Sequence, residues 1–156
     1  YYQNQGLDST VIRYSNVFGP RQSFAGEGGV VSIFINDLMS GKKPIIFGTG
    51  KQTRDFLYVE DAVRAAILAQ NCKKNSVYNI GTNKETEIND LLNLISKLLK
   101  KQEKPYFYPF RPGEIIRSKV DFSKAKRELG WQPEFTLKDG LEKTIKFFQK
   151  ANFTKF

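Results

Sequence analysis

The chain has 156 residues, 40% of them apolar and 13% aromatic, which is enough to fill the core of one compact domain. A single cysteine, Cys72, and a complete lack of histidine exclude an internal disulfide, the usual zinc sites and every histidine-based triad, so no metal is expected. No run approaches the roughly 18 consecutive apolar residues of a membrane span, and the first ten residues carry no basic-then-apolar signal; a cytoplasmic protein without a membrane partner is expected.

The net charge of +9 raises a nucleic acid as one partner. Most of the basic residues are lysines on presumptive helix faces and turns, without interleaved aromatics, which describes a solvated surface. No nucleic acid partner is expected. The arginines (Arg13, Arg21, Arg54, Arg64, Arg111, Arg117 and Arg127) gather instead at glycines, prolines and turns, where a planar guanidinium can grip an oxyanion with two hydrogen bonds.

The sequence opens at Tyr1, and YYQNQGL reads as the tail of a helix, so the chain is expected to be a fragment. STVIRYS (Ser9 to Ser15) is rich in β-branched residues and ends at NVFGP, as a buried strand leading into a turn. The C-terminal end of a strand in an open α/β sheet faces the ligand crevice, which places the Asn16 amide near a polar ligand; the alternative is a turn asparagine bonded to its own backbone. VVSIFINDLMSG (Val30 to Gly41) has apolar residues at 30, 31, 34, 35 and 38, the period of a helix closed by glycine.

KPIIFG and TRDFLYV read as strands separated by a turn that holds Gly48 and Gly50. Arg54 leaves this turn on a strand that fixes its direction, and it either meets a phosphate or pairs with Asp55 or another acid. No Walker loop is present, because no G-K-[ST] follows the glycines. Ile45, Ile46 and Phe47 offer either an apolar slot for a flat base or ordinary core. Val59 to Cys72 is an amphipathic helix with acids at its start, SVYNIG is a strand, and Glu87 to Lys101 carries a helical stripe at 88, 91, 92, 95, 98 and 99.

PYFYPF is extended, and RPGEIIR places a rigid Pro112-Gly113 bend beside Arg111, Glu114 and Arg117. Two arginine-bearing turns could close on a diphosphate from both sides, although each alone is more often a surface turn. SKAKRELG is a short helix stopped by Gly130, with Trp131 packing beside it. Thr136 and Asp139 have capping-box spacing before a last helix striped at 137, 141, 145 and 148. Strands alternating with helices make the fold α/β.

Taken in order, VIRYSNVFGPRQ, VVSIFINDLMSGKKPIIFGTGKQTRDFLYVEDAV, YNIG, RPGEIIRSKVDFSKAKRELGW and TLKDGLEKTIKFF resemble the C-terminal half of the NAD-dependent epimerase/dehydratase family, the extended short-chain dehydrogenases. The likeness runs from about Gly6 to Lys150. It implies the C-terminal part of an extended Rossmann-type dehydrogenase: the last sheet strands plus the smaller α/β substrate-binding domain. Residues 17–57 and 81–156 would then form mainly the nucleotide-sugar-binding part, with 1–16 and 58–80 contributing strands and a helix to the dinucleotide-binding part.

The resemblance implies a UDP-sugar 4-epimerase that interconverts UDP-glucose and UDP-galactose through a 4-keto intermediate. Family alternatives are UDP-glucuronate decarboxylation, whose enzymes more often carry T-R-S-F than TRDF, and dTDP-glucose 4,6-dehydration, whose enzymes commonly carry N-N-Y-G-P. A noncatalytic nucleotide-binding module is the alternative of a different class. In the family pattern Asn16 binds near the diphosphate and sugar, and Val30 and Val31 touch the nucleotide. Ile45 and Phe47 flank the uracil, Arg54 and Arg111 clamp the diphosphate, Glu114 lies at the nucleotide end, and Tyr14 lies near the nicotinamide edge of NAD.

The family's G-x-x-G-x-x-G fingerprint and Tyr-x-x-x-Lys pair are absent; no tyrosine has a lysine four residues on. No catalytic residue is therefore expected in this chain, NAD is expected to be held mainly by an upstream half, and the isolated chain is expected to be inactive. The resemblance further implies a homodimer for the intact protein.

Overall fold

The computed structural model describes residues 6, 8–24, 29–72 and 75–153; residues 1–5, within the expected helix tail, lie outside them. Eight strands are formed: β1 (Thr10–Tyr14), β2 (Asn16–Phe18), β3 (Ile45–Phe47), β4 (Thr53–Arg54), β5 (Phe56–Tyr58), β6 (Ser76–Ile80), β7 (Thr86–Glu87) and β8 (Tyr106–Tyr108). Among the described residues five helices accompany them: α1 (Val30–Met39), α2 (Val59–Gln70), α3 (Ile88–Leu99), α4 (Ser123–Leu129) and α5 (Leu137–Phe153). The pairs β1–β6, β2–β5 and β3–β8 are parallel, and β4–β7 is antiparallel. Parallel partners need a crossover, and a helix lies within each: α1 between β2 and β5, α2 between β1 and β6, α3 between β3 and β8.

Strand alternation divides the interior. In β5, Phe56 and Tyr58 point into one cluster with Phe34, Leu38, Leu91 and Leu141, while Leu57 points into a second with Ala65, Tyr78, Ile80 and Trp131. Its partner β2 does the same, Phe18 entering the first cluster and Val17 the second. The β2–β5 pair therefore separates two cores. Helices α1, α3 and α5 close the first; α2 and α4 close the second.

Two buried aspartates tie distant loops to this frame. Asp61, in the first turn of α2, accepts hydrogen bonds from the backbone N–H groups of Glu134 and Phe135, at 3.0 and 3.1 Å, and pairs with Arg64. The indole N–H of Trp131 donates to the Asp61 carbonyl at 3.1 Å. The acids that the sequence places at the start of α2 thus do more than match its dipole. The capping box forms as expected: Thr136 N–H donates to Asp139 at 3.0 Å, and Asp139 N–H donates to the Thr136 hydroxyl at 3.2 Å. Gly130 ends α4 in the left-handed region, and Trp131 is fully buried.

Two expectations are corrected. TRDFLYV, read as one strand, is split at Asp55 into β4 and β5, because the buried Asp55 carboxylate turns inward to accept from the N–H groups of Thr82, Asn83 and Val120. STVIRYS, read as a buried strand, is only partly covered in β1: Ile12 packs toward the second core, while Val11 on the opposite face and Tyr14 at the strand's end are more than 40% exposed. No helix among the described residues is long and apolar enough to cross a membrane.

Candidate functional site

The turn between β3 and β4 is built around two residues without side chains. Gly48 and Gly50 have φ of +81° and +75°, a region that side chains disfavour. A Cβ at Gly48 would stand 2.2 Å from the Phe110 ring, so Phe110 lies directly on the turn. That seat brings the neighbouring Arg111 over β3, where its guanidinium carbon is 3.8 Å from the centroid of the Phe47 ring.

The segment after Arg111 is then fastened along β4. Thr53 N–H donates to the Ile116 carbonyl at 2.9 Å, and Arg54 Nη1 donates to the carbonyls of Thr53 and Ile115 at 2.8 and 2.6 Å. Arg54 Nη2 pairs with Glu114. Arg117 forks onto Glu85 at 3.0 and 2.6 Å, while the Thr53 hydroxyl donates to the same carboxylate. The hydrogen bonds from Arg117 and then Thr53 hold the Glu85 pKa down at about 2. Val120 N–H, bound to Asp55 at 3.2 Å, completes the seam.

Both bends consequently deliver an arginine to one cavity of about 440 Å³. Its polar lining is Asn16, Asp37, Gln52, Arg54, Arg111 and Glu114; its apolar lining is Val30, Ile33, Phe34, Ile45, Ile46, Phe47 and Ile88. Eight residues singled out in the sequence, Asn16, Val30, Ile45, Ile46, Phe47, Arg54, Arg111 and Glu114, are thus gathered on one wall system.

Two others are not. The Val31 side chain is buried in the first core, one helix position and about 100° away from Val30, so it does not face the cavity. Tyr14 is also outside the lining, and its hydroxyl donates to the Ala62 carbonyl at 3.2 Å; burial pushes its pKa up. The acid that pairs with Arg54 is Glu114 rather than the adjacent Asp55.

The sequence reading missed Ile33, Phe34, Asp37, Gln52 and Ile88. A signal existed for three of them: 30, 33, 34 and 37 recur at i, i+3, i+4 and i+7, so the face of α1 that presents Val30 also presents Ile33, Phe34 and Asp37. Burial pushes the Asp37 carboxyl upward, opposed by the charge of Lys42. Gln52 has no periodic or motif signal. The whole arrangement sets two guanidinium groups beside an apolar slot, which suits a ligand carrying an anion attached to a flat, weakly polar ring.

A family model described as GDP-mannose 4,6 dehydratase matches residues 1–144. The chain belongs to this NAD-dependent epimerase/dehydratase family. Among family members, a putative UDP-glucose 4-epimerase of Methanocaldococcus jannaschii is 42% identical over 154 residues, covering 99% of this chain and 50% of that protein. A UDP-glucuronic acid decarboxylase 1 of Xenopus tropicalis is 36% identical over 150 residues, covering 96% of this chain and 35% of that protein.

The family fold is seen in the crystal structure of a Thermotoga maritima UDP-glucose 4-epimerase with UDP-glucose, which superposes with a TM-score of 0.94 at 42% identity, over 97% of this chain and 49% of that one. A Thermus thermophilus UDP-glucose 4-epimerase in complex with NAD superposes with a TM-score of 0.90 at 31% identity, over 97% and 50%. The chain spans about half the length, or less, of the curated family relatives it matches.

Proposed function

We propose that this chain is the nucleotide-sugar-binding portion of an NAD-dependent UDP-sugar 4-epimerase, with Arg54 and Arg111 as a clamp on the diphosphate. The observation that carries the reading is the convergence of these two arginines, from bends far apart in sequence, on one cavity with an apolar wall. Ile45 and Phe47 would flank the base, Val30 would touch the nucleotide, Asn16 would lie toward the diphosphate and sugar, and Glu114 toward the nucleotide end. Val31 can take part only through its backbone. The first core, with residues 17–57 and 81–156, would form the nucleotide-sugar part; residues 1–16 and 58–80 would join the dinucleotide-binding part.

Epimerisation at sugar C4 needs the nucleotide held firmly and the sugar held loosely, since a sugar gripped at every hydroxyl could not turn over. The residues here are suited to the firm half of that task. NAD, when bound, would supply the hydride exchange at C4. Of this chain's residues, Tyr14, at the C-terminal end of β1 with its hydroxyl engaged on Ala62, would lie nearest to it. No Tyr-x-x-x-Lys pair stands in the sequence, so the proton transfer at C4 is assigned to the remainder of the intact enzyme. The 156 residues alone are expected to show no turnover; measurable epimerisation by them would refute this.

The direct test is to make Arg54→Ala and Arg111→Ala in the full-length protein and titrate it with UDP-glucose. Each change should weaken binding by roughly 1.5–3 kcal/mol, with NAD affinity little altered. Unchanged affinity in both variants would remove the clamp. UDP-glucuronate decarboxylation is the second reading, favoured by the Xenopus relative; release of carbon dioxide from UDP-glucuronate, without UDP-galactose formation from UDP-glucose, would select it. The homodimeric state of the intact protein rests on the family resemblance and is checked by light scattering.

A further inference from the structure

One carboxylate is tied to both arginines of the cavity, to Arg54 by an ion pair and to Arg111 through a turn. A guanidinium has five N–H donors. In Arg54, Nη1 donates to the carbonyls of Thr53 and Ile115, and Nη2 donates to Glu114. Two donors remain, on Nε and Nη2, and among the described residues nothing accepts from them. Arg54 is therefore gripped by its own strand and by two consecutive residues of the segment after Arg111, and it keeps a small set of N–H groups for a ligand.

Glu114 is also the last residue of a tight turn whose first residue is Arg111. Its N–H donates to the Arg111 carbonyl at 3.1 Å, with Pro112 at the second position and Gly113, at a φ of +77°, in the third. Proline followed by a left-handed glycine is the type II pattern, in which both central residues suit the bend. Such a turn is stiff, so where Glu114 is held, Arg111 follows. The side chains of Arg54 and Glu114 are only 15% and 20% exposed, so water screens this pair less than it would a surface one. The path from Arg54 through Glu114 and the turn to Arg111, whose guanidinium lies over Phe47, fixes how the two cations stand relative to one another.

Resting on the diphosphate reading above, we propose that Glu114 is a positioning residue: by binding Arg54 it spaces the two arginines for an anion of two linked phosphoryl groups. A single phosphate meets either guanidinium whatever the spacing, whereas a bridge of two must meet both at once. Glu114 thus favours a diphosphate over a monophosphate, and it does so through Arg54.

The test is a calorimetric titration of the full-length protein with UDP and UMP, which differ by one phosphoryl group. Glu114→Ala should weaken UDP about tenfold and UMP by less than about twofold, so the preference for UDP shrinks. Should that variant not fold, Glu114→Gln, which keeps an acceptor oxygen and loses the charge, should move the ratio in the same direction. A double-mutant cycle gives a second readout: once Arg54→Ala is in place, removing Glu114 should change UDP affinity by less than about twofold. Loss of UDP and UMP by one common factor overturns the positioning role, since that is what lost packing would do. So does an equal loss of UDP affinity with and without Arg54, which marks a direct contact to the ligand. If Glu114→Ala leaves UDP unchanged while Arg54→Ala weakens it, the clamp stands and the role of Glu114 falls. If neither Arg54→Ala nor Arg111→Ala alters UDP affinity, both fall together.

Discussion

The guanidinium carbon of Arg111 lies over the Phe47 ring, 3.8 Å from its centroid, so a cation from one bend rests on the strand that leads into the other. Stacking occupies the face of the guanidinium and leaves its edge, which carries the N–H donors, to address an anion. A lysine would keep the charge and lose both the stack and the fork. Arg111→Lys is therefore expected to weaken UDP binding by about 1–2 kcal/mol, read by calorimetry, with the melting temperature unmoved. Affinity equal to that of the arginine protein would show that charge alone matters there.

The seat for that stack is the contact between Gly48 and Phe110. With φ at +81°, an alanine at 48 costs about 1–2 kcal/mol in backbone conformation alone, and its Cβ would meet the Phe110 ring. Gly48→Ala should lower the urea midpoint and UDP affinity together, because displacing Phe110 also moves Arg111. In the double variant Gly48→Ala/Phe110→Ala the steric part disappears, so the two changes should be less than additive in stability. Strict additivity would mean that Phe110 does not rest on the turn.

Much of this was legible in the sequence, and the reasons are specific. The helices around Phe34, Leu91 and Ile145 follow a 3.6-residue apolar period, and a period survives whatever packs against it. Asn16, Arg54 and Arg111 stood out because glycine and proline bends restrict where their side chains can go. What could not be read were contacts made across long separations by residues with no pattern of their own. Asp55 was weighed as a partner for Arg54, whereas it binds the backbone at 82, 83 and 120. Gln52 carried no signal at all, because its place in the wall depends on the Phe47 carbonyl lying opposite. Val31 shows the opposite error: a neighbour in sequence was given a shared role, but one helical step turned it into the core.

Asp55 and Arg54 are adjacent yet should behave oppositely when altered. The Asp55 carboxylate is fully buried and accepts three backbone N–H groups and the Thr82 hydroxyl. Asp55→Ala leaves those donors without an acceptor and should cost on the order of 3 kcal/mol of stability, seen as a lower urea midpoint. Arg54→Ala should change stability far less and nucleotide affinity far more. If Asp55→Ala keeps its midpoint, the carboxylate is not what fastens the loop at residue 120 to the strand frame.

Acid should loosen the same seam through Glu85. The hydrogen bonds from Arg117 and Thr53 lower its pKa from 4.5 to about 2 in the folded chain. A carboxylate whose folded pKa is depressed stabilises fully above its unfolded value, and that contribution is lost as pH falls from about 4.5 through about 2. Glu85→Gln removes the ionisation, so the stability gap between the unaltered protein and the variant should be constant from pH 7 to 5 and then narrow steadily toward pH 2. Asp121 and Asp139 also have lowered pKa values, from hydrogen bonds with Ser123 and Thr136, but they titrate in both proteins and cancel in the difference. Urea denaturation at a series of pH values measures the gap directly. A gap that stays the same at pH 7 and at pH 2.5 would mean that the Arg117–Glu85 fork does not hold the segment carrying Arg111 and Glu114 against β4.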